Sequence, residues 1–441
     1  MRHFVALSVV LAFGLSSGTA QVQERTPAPN APLGILDTVI IAGNAKTKAY
    51  VILNEMALHR GDTVTAEAIE YDRNRIYSLG LFTRVDIAYD SLESTRFLFV
   101  DVSERWYWIP LLNFGFRDGD PKRIFGGAGI QHENVGGRNQ KFRASVIFGS
   151  DPSAGIAFAD PLLFHEERIF FSTALSFSRV RNKSEVEIAR TGSFDEFHYN
   201  ASVTFGKRFS LTQVAGLTLG FEQVEVSTWW PGRTVSVAGK DRYLYATGSY
   251  VFDSRDLFEY PTRGAYTAFF VTRNGFGESA VDYTRYGADL RGYLPLPLGF
   301  TVATRLMGSA VAGGEVPTYG HQYFGYGERI RGWFSTVLEG EDLASGTIEL
   351  RHFIIPPRIF RMTMLPLPEE FSIWRLGLAA ALFANTGAIW NRGDRIGVGA
   401  LYSGYGGGLD FLLPYSWVIR LEYGWNQYGK GQFILDLRGA I

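Results

Sequence analysis

Alternation of apolar and polar residues with a period of two dominates the sequence from Trp106 to its end. The odd-numbered residues from Phe197 to Phe205 are apolar and the residues between them are polar, and residues 417–426 show a similar pattern. Because successive side chains of a strand point to opposite faces of the sheet, each such segment predicts a strand with one apolar face. About 16 segments of this kind can be marked, so an all-β domain is predicted for residues 106–441.

A different pattern precedes these strands, between residues 34 and 105. Apolar residues of the segment 46–58 recur at helical spacing. A second helix is predicted to begin at the N-cap Thr65 and to end before Gly80. Three short apolar segments are predicted strands, at residues 38–42, 81–89 and 96–102. The order β-α-α-β-β predicts a small α+β domain.

The first 20 residues have the layout of a secretory signal peptide. A basic head precedes an apolar run at residues 4–15, which is too short to span a bilayer, and Gly18-Thr19-Ala20 supplies the small residues of a cleavage site. A buried N-terminal helix is the alternative interpretation. Residues 21–33 are rich in proline and alanine and predict a linker.

The amino-acid composition indicates that the predicted all-β domain lies in a membrane. Aromatic residues make up 15% of the 441 residues, there are 50 glycines, and the longest apolar run after the signal breaks before it reaches membrane-helix length. Short alternating segments rich in aromatic residues are typical of a transmembrane β-barrel, with an apolar face towards lipid and a polar face towards the lumen. A soluble β-sandwich would show the same alternation with its apolar face inward. The export signal and the aromatic residues at strand ends favour the barrel.

Charge and cysteine content exclude several classes of protein. The net charge is −1, so no overall basic field indicates a nucleic-acid partner. The sequence contains no cysteine, which excludes disulfides, thiolate chemistry and a lipid attached to a cleavage-site cysteine.

Candidate catalytic or metal-binding residues are few. The pairs His132-Glu133 and His165-Glu166 lack a second histidine at the spacing of a zinc protease. Outer-membrane hydrolases use lumenal or rim carboxylates and histidines, which Asp253, Asp256 and His352 could supply, but these form no recognisable constellation. We therefore expect no enzyme activity, no cofactor and no metal.

A long glycine-rich segment at residues 324–333 separates the predicted strands 299–314 and 344–355. It carries two arginines beside an aromatic residue, in the sequence Ile330-Arg331-Gly332-Trp333. Loops of this size are usually functional or disordered, and the aromatic residues give this one much to bury. We expect the loop to fold back into the barrel and to be held there through Arg331, with Gly332 allowing a tight turn.

The segment 35–105 resembles a polypeptide-transport-associated (POTRA) domain. The resemblance rests on Gly43-Asn44 after the first predicted strand and on the sequence from Tyr77 to Phe82 before the second. An unrelated small α+β domain is the alternative.

The predicted barrel resembles that of the BamA/TamA family of outer-membrane β-barrel assembly proteins, which also includes two-partner secretion transporters. Residues 330–333 are similar to the family's V-R-G-F/Y motif in the inward-folded sixth extracellular loop, and they fall between predicted strands eleven and twelve. Further similarities follow in the family's order, at residues 133–139, 253–256 with 261–264, 345–351 and 383–387. Together these motifs cover nearly the whole mature chain.

One position departs from the family pattern. The resemblance implies an aspartate that holds the loop arginine, but Asn385 occupies that position. An amide offers one neutral acceptor oxygen, whereas a carboxylate forms a charge-assisted pair. Asp410 is a candidate replacement, and Glu349 and Glu422 are further lumenal candidates. We predict that Arg331 pairs with at least one of these three carboxylates. The alternative is that Arg331 remains solvated in the lumen.

Two features suggest where the barrel closes. Pro110 lies in the first predicted barrel strand, and proline is tolerated mainly on edge strands because it has no N–H to donate. The last predicted strand begins at Gly431 and carries Gly439 near the chain end. We predict a weakly paired seam between these strands. Pro110 could equally mark only the joint between the two domains.

The resemblance also implies a function and a location. It implies a bacterial outer-membrane protein with its POTRA-like domain in the periplasm, which inserts or translocates unfolded outer-membrane or secreted polypeptides. Expected partners are outer-membrane lipid, these clients and accessory periplasmic proteins, with no nucleic acid. In this hypothesis a client strand adds to the exposed edge of the POTRA sheet, at residues 81–89 or at the neighbouring strand, and passes to the seam. The alternative is a passive pore, or a two-partner-type secretion channel, that uses the lumen.

Overall fold

The computed structural model describes residues 31–116, 122–277, 279–333, 336–362, 368–394, 397 and 400–436. The expected signal peptide, residues 21–30 of the expected linker and Gly439 lie outside this part of the chain.

The N-terminal domain has the predicted β-α-α-β-β order, with one additional strand pair. Its elements are β1 (Pro32–Ile35), β2 (Thr38–Ala42), α1 (Ala49–Leu53), β3 (Thr63–Thr65), α2 (Ala66–Ser78), β4 (Phe82–Leu92) and β5 (Thr95–Glu104). Strands β2, β5 and β4 form a sheet in that order, and β1 pairs with β3. The sequence did not predict this second pair. The expected linker therefore overlaps a strand, because Pro32 and Leu33 belong to β1.

Local chemistry fixes the longer helix of this domain. The Thr65 side chain caps α2 by accepting from the Ala68 N–H at 3.2 Å, and Gly80 follows the helix with a φ of +67°. Buried Asp72 accepts the N–H groups of Ala57 and Leu58 at 2.6 and 3.1 Å. Burial raises the pKa of Asp72, and these two donors oppose that rise. The carboxylate thereby ties the loop after α1 to α2.

A sixteen-stranded antiparallel sheet follows, and it confirms the predicted barrel class. Its strands are β6 (Trp108–Phe116), β7 (Ile124–Val135), β8 (Gln140–Gly149), β9 (Ser153–Phe164), β10 (Ile169–Arg181), β11 (Asp195–Arg208), β12 (Gln213–Val226), β13 (Lys240–Asp253), β14 (Gly264–Asn274), β15 (Tyr283–Pro295), β16 (Phe300–Gly313), β19 (Asp342–Arg361), β20 (Ile373–Trp390), β21 (Tyr402–Leu413), β22 (Trp417–Asn426) and β23 (Gly431–Asp436). Outside the sheet are α3 (Glu185–Thr191), β17 (Gln322–Phe324), β18 (Leu338–Gly340) and α4 (Glu369–Ser372). The long loop lies between β16 and β19, the eleventh and twelfth strands of the sheet.

Burial alternates along the barrel strands as the sequence pattern predicts. Outward Leu306 and Leu382 are 61% and 63% exposed, whereas inward Glu349 and Asp410 are each 1% exposed. The outer wall is therefore apolar and the lumen carries the charged groups. None of the helices in the described ranges is long and apolar enough to cross a membrane.

The N-terminal domain packs against one end of the barrel, which we call the near rim; the opposite end is the far rim. The Lys48 N–H donates to the Gly137 carbonyl at 2.8 Å, and the Asn134 amide donates to the Thr47 hydroxyl at 2.9 Å. The Tyr107 hydroxyl lies 3.0 Å from the same threonine, and burial raises the pKa of Tyr107 to about 12. Buried polar contacts thus join the near rim of the barrel to the N-terminal domain.

A second joint is ionic and lies across the near rim. The Glu55 carboxylate accepts from Arg75 of α2 at 2.8 Å and from Arg208 of β11 at 2.9 Å. Both arginines also donate to the Leu211 carbonyl, at 2.9 and 3.1 Å. The three side chains are between 4% and 16% exposed, so water screens this bridge weakly.

The hairpin of β19 and β20 extends beyond the near rim. The β16 ladder along β19 stops at His352, and the β21 ladder along β20 stops at Gly377. Residues 358–361 and 373–376 pair only with each other among the described residues. The prediction that this strand ends at residue 355 was wrong, because the chain passes Pro356 and Pro357 through a shifted register and continues as strand to Arg361.

We expect Glu55→Gln to loosen the N-terminal domain, because it leaves Arg75 and Arg208 without their carboxylate. Removing one partner of a buried interfacial charge pair costs about 2–5 kcal/mol. Spin labels at Leu92→Cys in the domain and Val237→Cys on the far rim, which are 72% and 78% exposed, report the distance between the two bodies. The distance distribution should broaden in Glu55→Gln.

The matched control is Glu67→Gln, which removes a second ion pair across the same joint. Glu67 and Arg263 are 42% and 59% exposed, so this change should leave the distance distribution almost unaltered. Equal distributions for Glu55→Gln and the parent chain would contradict the assignment of Glu55 as the joint.

Candidate functional site

The loop between β16 and β19 lies inside the barrel. Strands β17 and β18 form a short hairpin within it, and Phe324 and Ile330, each 2% exposed, pack against Leu343 at the start of β19. The aromatic and aliphatic residues that the sequence placed in this loop are therefore its core.

Arg331 lies in a pocket made by three barrel strands. Its Nη2 is 2.7 Å from Oε1 of Glu349 on β19, and its Nη1 donates to Oε1 of Glu422 on β22 at 2.9 Å. Its guanidinium carbon stands 3.9 Å from the centre of the Phe383 ring on β20. Two carboxylates and an aromatic face thus hold one loop side chain.

The arginine belongs to a larger group of buried charges, which we call the lumenal cluster. Its members are Arg331, Arg351, Arg420, Glu349, Glu422 and Asp410, each of them 8% exposed or less. The three positive and three negative charges balance. The structure places the candidate Asp410 next to other members: it accepts from the Tyr260 hydroxyl at 2.7 Å and lies 3.9 Å from Nε of Arg420.

Glu349 is the centre of the lumenal cluster. Besides Arg331, it accepts from Nε of Arg351 at 2.7 Å, and its Oε1 lies 3.9 Å from Arg420. Burying isolated ions costs far more than burying paired ones, so each member needs the others. The pairs between guanidinium groups and carboxylates therefore hold the loop against the barrel wall.

The remaining loop residues of the sequence motif fix the backbone around Arg331. Gly332 has a φ of +95°, and a Cβ on it would lie 2.6 Å from the Trp425 carbonyl. The Trp333 indole donates to the Ser403 carbonyl at 3.1 Å, and its ring meets Tyr402 edge-on at 5.0 Å. Asn385 is 8% exposed on β20 and lies opposite Gly404 in the ladder.

Gly404 supplies the space that the loop occupies. A Cβ on this residue would lie 1.6 Å from the Arg331 carbonyl oxygen, a distance that no real contact allows. The glycine at position 404 therefore leaves room for the loop backbone in the lumen.

The predicted seam residues lie at the two ends of the sheet. Pro110 is exposed on β6, and Gly431 begins β23 opposite Trp425 of β22. Gly439 lies outside the described residues.

Sequence reasoning missed Arg351, Arg420 and Tyr260. Arg351 lies two residues after Glu349, and Arg420 lies two residues before Glu422. Because residues two apart share a face of a strand, this spacing was a usable signal. No group of three or more candidate metal-binding side chains occurs in the described part of the chain.

Comparisons with known proteins give both a family and a fold. A family model described as the Omp85 superfamily domain matches residues 134–434, and a POTRA model described as a surface antigen variable number repeat matches residues 35–105. No curated protein shows significant similarity.

Two solved structures share the fold at low sequence identity. BamA from Haemophilus ducreyi lacking POTRA domains 1–3 is 13% identical, with a TM-score of 0.55 over 91% of this chain and 83% of that one. CdiB from Escherichia coli is 11% identical, with a TM-score of 0.54 over 92% of this chain and 74% of that one.

We expect Glu349→Gln to destabilise the barrel more than Glu422→Gln does. The first change leaves Arg331, Arg351 and Arg420 without their shared carboxylate, and arginine cannot lose its charge to compensate. The cost should be about 3–5 kcal/mol, measured by urea unfolding in lipid vesicles. Arg273→Gln is the control, because Arg273 and Asp282 are 39% and 61% exposed and such pairs contribute about 0–1 kcal/mol. Equal losses in all three variants would refute the central role of Glu349.

Gly404→Ala should expel the loop from its position, because the added methyl group overlaps the Arg331 carbonyl. Arg331 is 8% exposed and should resist trypsin in the parent chain, whereas the variant should be cleaved there several-fold faster. Mass spectrometry of the fragments identifies the site. Gly126→Ala serves as the control, since a Cβ on Gly126 would meet nothing within 4 Å. Unchanged protection of Arg331 in Gly404→Ala would contradict the steric argument.

Proposed function

The chain belongs to the Omp85 superfamily, and from this premise we propose that it inserts polypeptides into the bacterial outer membrane, or translocates them across it, through a lateral seam in its barrel. The N-terminal domain lies in the periplasm in this proposal, so the near rim is the periplasmic rim. Unfolded outer-membrane or secreted polypeptides are the clients.

The observation that carries the proposal is the pairing at the two ends of the sheet. Within the described residues no backbone ladder joins β6 to β23, and the sheet order ends at these two strands. In lipid an unpaired strand edge is costly, so a client strand can take the place of the partner strand when β6 and β23 separate.

Proline supports the same position for the seam. Pro110 lies on β6, which pairs with β7 over nine positions. Without an N–H group, this residue removes one donor from an end strand of the sheet. Fewer bonds across the closing pair lower the cost of opening it.

The loop holds one side of the seam, and the N-terminal domain contacts both sides. The loop is attached to the wall that precedes β23, through Glu349 on β19 and Glu422 on β22. The N-terminal domain is attached to the side of β6, through Asn134 and Gly137 at the end of β7. A change in the position of the domain is therefore transmitted to β6 through β7, and also to the β19–β20 hairpin, whose Arg375 lies 5.0 Å from the Tyr77 ring.

Clients first meet the domain at the edge of its sheet. Strand β4 is an edge of the order β2-β5-β4, and it spans eleven residues with an exposed distal half. An extended peptide binds such an edge by adding one more strand, and backbone hydrogen bonds give affinity with little dependence on sequence. Folding and burial of the client in the membrane supply the driving force.

We expect a disulfide across the seam to stop client insertion. One cysteine is placed among residues 111–116 of β6 and one among residues 433–436 of β23, in a chain that has no other cysteine. The pairs are screened for oxidation, and the locked protein is reconstituted in vesicles with an unfolded client barrel. Oxidation should abolish insertion and reduction should restore it, because a covalent bond keeps the two edges together.

The control places the disulfide within the wall. Leu421 and Leu435 are direct partners on β22 and β23, so Leu421→Cys with Leu435→Cys forms a bond that leaves the seam free. Insertion should survive this change. If the seam disulfide leaves transport intact while ions or an unfolded chain still cross the vesicle, the lumen is the path and the chain acts as a pore.

A further inference from the structure

The hairpin extension of β19 and β20 carries a largely apolar outward face, half-buried along β20 and exposed along β19. Alternation along β20 is uninterrupted, so Trp374, Leu376 and Leu378 share the outward face with Leu382 of the barrel wall. Their partners on β19 are Phe360, Arg358, Ile355 and Leu350. Ile355 and Phe360 are 47% and 46% exposed.

We propose that this outward face rests on the membrane leaflet at the periplasmic rim and binds it, with apolar side chains at the level of the acyl chains and Arg358 at the phosphate groups. The extension is thus a membrane-binding foot beneath the barrel. The proposal uses the outer-membrane location and does not depend on client insertion.

The opposite face of the extension is occupied along β20. Ile373 is 6% exposed, and the Arg375 guanidinium pairs with Glu259 and stands 5.0 Å from the Tyr77 ring of the N-terminal domain. The Phe371 ring lies 5.8 Å from Trp106, just before β6. On β20 the inward face therefore packs on protein, whereas Ile359 on β19 is 47% exposed on that side. The outward face remains for another partner.

The partner is a lipid surface for a geometric reason. The column from Leu382 to Trp374 continues the lipid-facing wall without a polar interruption, so the same solvent that covers the wall meets the extension. Aromatic residues and arginine are the side chains that occupy the boundary between acyl chains and headgroups. Trp374, Phe360 and Arg358 lie together at the far end of that column.

A client strand is the less suitable partner. The free edge of β19 in this region contains Pro356 and Pro357, which donate no backbone hydrogen bond, and exposed Arg358. Proline and charge are the features by which proteins prevent strand addition at an edge. The extension therefore offers a face, and not an edge, for binding.

The extension also places the domain relative to the membrane. Tyr77 belongs to the N-terminal domain and contacts Arg375 of the hairpin. Trp106, which joins the domain to β6, contacts Phe371 between the two strands of the hairpin. If the extension binds the leaflet, the position of these two contacts along the membrane normal is fixed. The domain is then held by the barrel on one side and by the membrane through the hairpin.

The test measures the depth of single spin labels in the full-length protein. Labels at Phe360→Cys and, in a second variant, Leu376→Cys are placed in nanodiscs of phosphatidylethanolamine and phosphatidylglycerol. Accessibility to oxygen relative to a water-soluble nickel chelate reports lipid burial. The reference for lipid is Leu306→Cys on the barrel wall, and the reference for water is Leu92→Cys in the domain, which are 61% and 72% exposed in the protein alone.

We expect the oxygen-to-nickel ratio at residues 360 and 376 to exceed the ratio at residue 92 several-fold and to approach that at residue 306. Adding Arg358→Gln should lower the ratio at residue 376 in anionic nanodiscs and leave it unchanged in phosphatidylcholine. Ratios at residues 360 and 376 equal to that at residue 92 would overturn the proposal. Protection that develops only after an unfolded polypeptide is added would also overturn it and assign the face to clients.

Discussion

The buried carboxylate of Glu349 is the constraint on which the rest of the lumen depends. It faces Arg331 of the loop, Arg351 of its own strand and Arg420 of β22. Three guanidinium groups cannot be buried together without compensating charge, and Glu422 and Asp410 complete the balance. Ion pairs therefore tie the loop to both β19 and β22.

The same principle operates at the near rim on a smaller scale. Glu55 lies between Arg75 and Arg208, so one carboxylate joins the N-terminal domain to the barrel. Both sites place a carboxylate between arginines from separate elements of the chain, where a change of one residue leaves a buried charge unpaired. This makes each joint specific, since a shifted arrangement would lose its counter-charge. It also makes the relative positions of loop, wall and domain depend on a few ionic contacts.

Much of this architecture was predictable because its causes are local. Period-two alternation predicted the strands, and Thr65 and Gly80 marked the two ends of α2. Glu349 and Glu422 lie on the inward-facing sides of their strands, which made them candidate partners of Arg331. The misses have non-local causes. Pro356 and Pro357 predict a strand end, but pairing with β20 carries β19 past them through a shifted register. Which carboxylate meets which arginine depends on the register of several strands and on how far the loop descends, and no single segment contains that information.

The contacts at the base of β6 determine how a seam can open. Tyr107 is 4% exposed and is joined to Thr47, while the neighbouring Trp106 meets Phe371 of the β19–β20 hairpin. The first strand therefore begins between the domain and an element from the other side of the seam. Separation of β6 from β23 at the near rim has to break the Trp106 contact or move the hairpin with it. In the proposed opening of the seam, a tilt of the domain that keeps this contact therefore moves β6 and the hairpin together.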